Sequence, residues 1–287
     1  MGLRRLCAAV WLFTLIAAAN PVAAQNPFAG VWKLNQDKSQ LAGDIMKFGP
    51  AAGDAIELTA GGLTYSFRTD GKTYALPSGN AAIWRQNSPD TWTTEYRKLD
   101  NKLLSIDTWK LSSDGTNLTV TTSGTKANGE LYTDTEEYTR TAGTSGLMGT
   151  WKSTAVKLSS PNELTIQEIG LDRMVFKIAA LKASCELNFD GKDAVVDGPD
   201  LPTGLRLSLT RTGPYSFRLV QKLNGTTVSS SVYSVTAEDP KTMTQVGGAP
   251  GDPPATVIWE NQAPAPPPPP PSAPPAAAPT IGAPVRP

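Results

Sequence analysis

Any acid–base or metal chemistry in this chain must come from carboxylates, lysines or phenols, because the sequence contains no histidine. Histidine is the side chain most used for proton transfer near neutral pH, and the commonest ligand for zinc, copper and haem. The cysteines are Cys7 and Cys185, and Cys7 falls within the N-terminal leader, so the mature chain holds no pair for metal or redox work. No glycine-rich phosphate loop, nucleophile elbow or calcium-loop spacing is present. Three groups remain. Ser123-Gly124-Thr125-Lys126 has the Ser-x-x-Lys spacing of some acyl-enzymes. That chemistry needs both residues on one helical turn, whereas this segment leads from a strand into the Asn128-Gly129 turn. Asp190, Asp193, Asp197 and Asp200 could offer oxygens to calcium, but Asp-Gly turns explain them more simply. Asp134, Glu136 and Glu137 fall on a strand and read as a solvated face. The sequence therefore predicts no catalytic residue, no metal site and no cofactor.

The aromatic residues are the better candidates. Tyr65, Phe67, Trp84, Trp92, Tyr96 and Trp109 make a dense supply for a small domain, and they are the predicted ligand-binding set. An eight-stranded barrel has an interior just wide enough to be filled by side chains or to hold one small ligand. Lining and filling look alike in sequence. The second half is richer in leucine and poorer in tryptophan, which favours the first half as the binding half.

These side chains need strands to position them, and the chain is almost all strand. Leu63, Tyr65 and Phe67 alternate with Thr64 and Ser66; Leu205, Leu207 and Leu209 alternate with Arg206 and Ser208. A period of two puts one face of a strand in a core and the other in water. Asp70-Gly71, Asp114-Gly115, Asn128-Gly129, Asp190-Gly191 and Asn224-Gly225 punctuate such runs as tight turns. Cys185 shares a face with Leu187 and Phe189, so it is expected as a buried core thiol.

The halves repeat each other. Gly30-Val31-Trp32-Lys33 recurs as Gly149-Thr150-Trp151-Lys152, and Asp70-Gly71-Lys72 recurs as Asp190-Gly191-Lys192. A repeat this long is a duplicated domain, since solenoid periods run about 20–50 residues. The expected units are 25–140 and 149–261, joined by a flexible linker at 141–148. The expected class is all-β: two tandem antiparallel up-and-down barrels of about eight strands each. The first strand's Gly-x-Trp, with Arg140 ending the last strand, is similar to the signature of the lipocalin and fatty-acid-binding superfamily. In that family the Trp seals the closed end of a barrel and the Arg packs across it. The resemblance implies barrel-closing roles for Gly30, Trp32 and Arg140, and for Gly149 and Trp151 in the second unit, which ends on Val257-Ile258-Trp259-Glu260 without an arginine. The longer run Gly30 to Asn35 with Lys38-Ser39 also resembles a group of exported bacterial barrel domains. That likeness implies a fold and an address, and no activity.

Residues 1–24 read as a secretory signal peptide: Arg4-Arg5, an apolar run from Leu6 to Ala19, and Val22-Ala23-Ala24 before cleavage between Ala24 and Gln25. The mature chain is then exported, periplasmic or extracellular, with no transmembrane segment. Its net charge of −2 leaves no long-range attraction for nucleic acid. Residues 262–287 form a Pro/Ala-rich tail, expected to be disordered, its partner left open, with six prolines in a row from Pro266 to Pro271. Two functions compete: a non-enzymatic module that binds a small hydrophobic or amphipathic molecule, and a structural or interaction module of the cell envelope with filled barrels and a docking tail.

Overall fold

The computed structural model describes residues 26–159, 162–169 and 172–262. The expected signal peptide with its Ala24–Gln25 cleavage site, and all of the expected 262–287 tail except Gln262, which ends the last strand, lie outside the described residues. Within them the chain is all-β. The first half contributes β1 (Gly30–Gln40), β2 (Ile45–Pro50), β3 (Ile56–Ala60), β4 (Leu63–Phe67), β5 (Asp70–Ala75), β6 (Ala81–Ser88), β7 (Thr91–Arg97), β8 (Leu103–Leu111), β9 (Asn117–Thr125) and β10 (Leu131–Ser145). The second contributes β11 (Met148–Lys157), β12 (Glu163–Ile169), β13 (Arg173–Ile178), β14 (Ala183–Asn188), β15 (Ala194–Val195), β16 (Leu205–Gly213), β17 (Ser216–Leu223), β18 (Thr226–Ser234), β19 (Thr242–Gly248) and β20 (Ala255–Gln262).

These strands make two antiparallel sheets of ten, each curled into a nearly closed barrel. The expected count of about eight is too low, and β2 and β6 account for the difference in the first half. β2 is short and runs into Gly49-Pro50, which reads as a turn. In β6, Ala81 and Ala82 are both buried, which breaks the period-two signal. Main-chain bonds of 2.8 Å in both directions between Ser184 and Asp197 draw the seam of the second barrel together. β4 and β5 stand side by side at the seam of the first.

Membership of the barrels departs from the expected units by one strand each. The first sheet runs β4-β3-β2-β11-β10-β9-β8-β7-β6-β5, and the second runs β14-β13-β12-β1-β20-β19-β18-β17-β16-β15. Every strand therefore corresponds to the strand ten places later, except that the two Gly-x-Trp strands have changed places. Trp151 lies opposite Met46 of β2 and Arg140 of β10. Trp32 lies opposite Leu164 of β12 and Asn261 of β20. The cause is the stretch expected to be a flexible linker. Residues 141–145 instead complete β10, and Gly146-Leu147 form a two-residue turn into β11, with Ser145 paired to Met148. Gly146 supplies the positive φ of 50° that the turn requires. Such a tight hairpin holds β11 against β10, so β11 closes the first barrel, and β1 fills the gap left between β20 and β12.

Each barrel has its own core. Trp151 packs with Met46, Phe48, Leu58, Phe67, Trp84 and Trp109. Trp32 packs with Phe28, Ile166, Met174, Leu187, Phe217 and Met243. Cys185 belongs to the second core, where burial pushes its thiol up to about 11 and Sγ lies 3.3 Å from the Val195 carbonyl.

Candidate functional site

A cavity of about 270 Å³ opens inside the first barrel. Its apolar wall includes Met46, Leu58, Val120 and Trp109, and its polar wall carries Tyr65, Tyr96, Asp107, Thr122, Glu136 and Tyr138. Of the predicted binding set, Tyr65, Tyr96 and Trp109 line this space. Phe67, Trp84 and Trp92 do not. Phe67 and Trp84 are fully buried and stack at 4.1 Å between centroids, while Phe48 meets each of them edge-on. They form the packed floor on which the cavity stands. The Trp84 Nε1 donates to the Tyr65 hydroxyl at 3.2 Å and the Trp109 Nε1 donates to Thr94 Oγ1 at 3.0 Å, so the floor also orients the wall.

The carboxylates are the part that reading the sequence missed. Glu136 was expected on a solvated face with Asp134 and Glu137. Glu137 is exposed, but Asp134 is buried and Glu136 lines the cavity, because β10 turns Tyr132, Asp134, Glu136 and Tyr138 toward the barrel interior. Asp107 keeps step with Trp109 and Leu111 on the buried face of β8, while Ile106 points outward. Two aromatic or apolar neighbours at i+2 and i+4 were the available signal for Asp107. The tyrosines at i−4 and i+2 were the signal for Glu136.

Asp107 is 8% exposed, and its Oδ1 is the one buried side-chain polar atom without a hydrogen-bond partner among the described residues. Burial raises its carboxyl to about 7, opposed by the neighbouring hydroxyls of Thr122 and Tyr96 and reinforced by the charge of Glu136. The phenols of the wall all shift up. Burial carries Tyr65 to about 12 and pushes Tyr96 and Tyr138 well above their ordinary value. They remain protonated, and Tyr138 donates to Glu136 Oε2. Among the described residues the wall thus presents two carboxyl groups and three phenols, with no lysine or arginine lining the space.

The second barrel has no such wall. Following the ladders outward from each Trp strand, Asp107 corresponds to Ser231 and Glu136 to Val257. Its interior is occupied by Phe217, whose ring touches Phe28 at 4.7 Å, Tyr233 at 5.0 Å and Phe176 at 5.9 Å.

The residues expected to close the barrels pair with exchanged partners. Arg140 lies over Trp151, not Trp32, with its guanidinium carbon 4.1 Å from the ring centroid. The guanidinium also donates to the carbonyls of Gly115 at 2.8 Å, Gly146 at 2.6 Å and Met148. Asn261 takes the equivalent place opposite Trp32, which answers the missing arginine of the second unit. Both Trp Nε1 atoms donate to a carbonyl four residues back, Phe28 at 2.8 Å and Leu147 at 2.9 Å. Gly30 and Gly149 have φ of 152° and 134°. A Cβ would come within 2.5 Å of the Asn261 side chain or 2.1 Å of the Ala142 carbonyl oxygen. The Gly-x-Trp spacing is therefore a packing requirement of barrel closure.

The other acidic group is engaged in turns and ion pairs. Asp190 Oδ1 accepts from the Lys192 amide at 3.0 Å, Asp193 pairs with Lys222 at 2.8 Å and Asp200 with Lys102 at 2.6 Å. Ser123 lies on β9, and Lys126 pairs with Glu130 across the following turn at 3.2 Å. Comparison of the chain with protein families, with curated proteins and with solved structures returns no match.

Proposed function

We propose that this chain is an exported, non-enzymatic binding protein whose lipocalin-like first barrel holds one small amphipathic molecule. The observation that carries the reading is the cavity itself: one interior encloses about 270 Å³ beside Trp109, while the other is plugged by Phe217. That volume approaches the roughly 300–1,000 Å³ typical of ligand sites, with an apolar wall and a few convergent polar groups. The filled second barrel supports a structural role for that half, as a brace for the first. The absence of histidine and of a nucleophile–base pair supports binding over catalysis.

Native mass spectrometry of delipidated protein, offered mixed lipids and small aromatic compounds, tests the proposal. One adduct per chain is expected, lost in Leu58→Trp, which fills the cavity. Wild-type protein that stays free of adducts throughout would overturn it.

A further inference from the structure

We propose that the cavity of the first barrel is built for a small organic amine, bound as its ammonium ion against Asp107 and Glu136. The inference rests on the binding reading above and specifies its ligand class. Four observations carry it. Asp107 Oδ1 is buried and accepts from no donor among the described residues. Glu136 adds a second carboxyl group to the same wall. Among the described residues no cationic side chain lines the cavity to neutralise either one. The barrel made from the duplicate copy carries serine and valine at the two positions, so the fold does not need the acids there.

A buried acceptor with no donor is costly, typically more so than the average hydrogen bond is favourable. An ammonium group supplies three donors and the balancing charge. The apolar body of such a ligand would lie along Trp109, Leu58 and Met46, which line the remainder of the space. The titratable groups facing Asp107 are Tyr65, Tyr96, Tyr132, Tyr138 and Glu136. All four tyrosines are shifted further from ionisation, leaving Asp107 to set the pH response. Occupancy by a cation should therefore strengthen as pH rises through neutrality and Asp107 ionises.

Calorimetric titration of the full mature chain with phenethylamine, 2-phenylethanol and 3-phenylpropionate separates the possibilities, since all three present a phenyl ring and differ in charge. Phenethylamine should bind at least roughly tenfold more tightly than the alcohol at pH 8, as expected for one charge-assisted hydrogen bond. That preference should shrink at pH 5.5, and in Asp107→Asn and Glu136→Gln, with circular dichroism confirming that each variant is folded. Equal affinity for the alcohol and the amine, or preference for the acid, would overturn the amine inference while leaving the binding reading intact. Heat from none of the three, together with no adduct in the mass-spectrometric test, would overturn both.

Discussion

Asp107 is a buried acid, a placement that is costly unless the group is paired. Burial raises its carboxyl from 3.8 to about 7. Between those values the folded chain binds a proton that the unfolded chain has released, so the residue's contribution to stability falls as pH rises from about 4 to about 7 and is level above that. Asp107→Asn should remove this slope and make the protein more stable than wild type at pH 8, by about 2–4 kcal/mol. Urea unfolding at pH 5 and pH 8 checks it; parallel pH profiles for the two proteins would contradict the assignment. Combined with weaker amine binding in the same variant, a gain in stability would separate a ligand contact from a purely structural one. Half of the predicted aromatic set, Tyr65, Tyr96 and Trp109, lines the cavity. The acids were not legible in the sequence, because an inward carboxylate on a strand of mixed polarity has the same alternation as an outward one. Only the aromatic neighbours in step with it distinguish the two.

At the scale of strands, Asp114-Gly115, Asn128-Gly129 and Asn224-Gly225 turn between strands as expected, whereas Asp70-Gly71 begins β5 and Asp190 bridges to Thr210. Asp70 and Asp190, matched between the halves by sequence, accept from the amides of Lys72 and Lys192 at the same 3.0 Å. β2 and β6 were hidden by Gly-Pro and by a run of buried alanines. What could not be read was which barrel each Trp strand serves. Both copies carry the same glycine, the same spacing and the same Trp-to-carbonyl bond, so either strand satisfies either barrel locally. The choice is made by the Gly146-Leu147 turn, which sequence reading took for a linker. Removing one Trp should therefore loosen the half to which it does not belong in sequence. Trp151→Ala should cost about 3–5 kcal/mol, as large core truncations do, and raise hydrogen exchange in β6–β8. Trp32→Ala should raise it in β16–β18 and leave β6–β8 protected. The reverse pattern, read by exchange mass spectrometry, would contradict the assignment.

For the whole molecule, the exchange makes two barrels into one interlocked unit. The chain crosses between barrels after β1 and again after β11, and the Gln36 side chain bonds both the carbonyl and the amide of Leu158, at 2.7 and 2.8 Å. Elsewhere Lys102 reaches Asp200, and Asn224 donates to the Pro77 carbonyl at 2.7 Å, holding from the second barrel a loop that lines the cavity of the first. The plugged barrel thereby braces the rim of the open one. Closure of the cavity-bearing sheet by β11 is the claim on which the pocket, its rim and the roles of both tryptophans depend, and paired cysteines test it directly. Thr150 faces Lys47, and Val31 faces Thr165. In a Cys185→Ala background, Lys47→Cys with Thr150→Cys, and Val31→Cys with Thr165→Cys, should cross-link within one chain through a short thiol reagent. Efficient cross-linking of Val31→Cys with Lys47→Cys instead would mean that each half closes on its own Trp strand, contrary to this account.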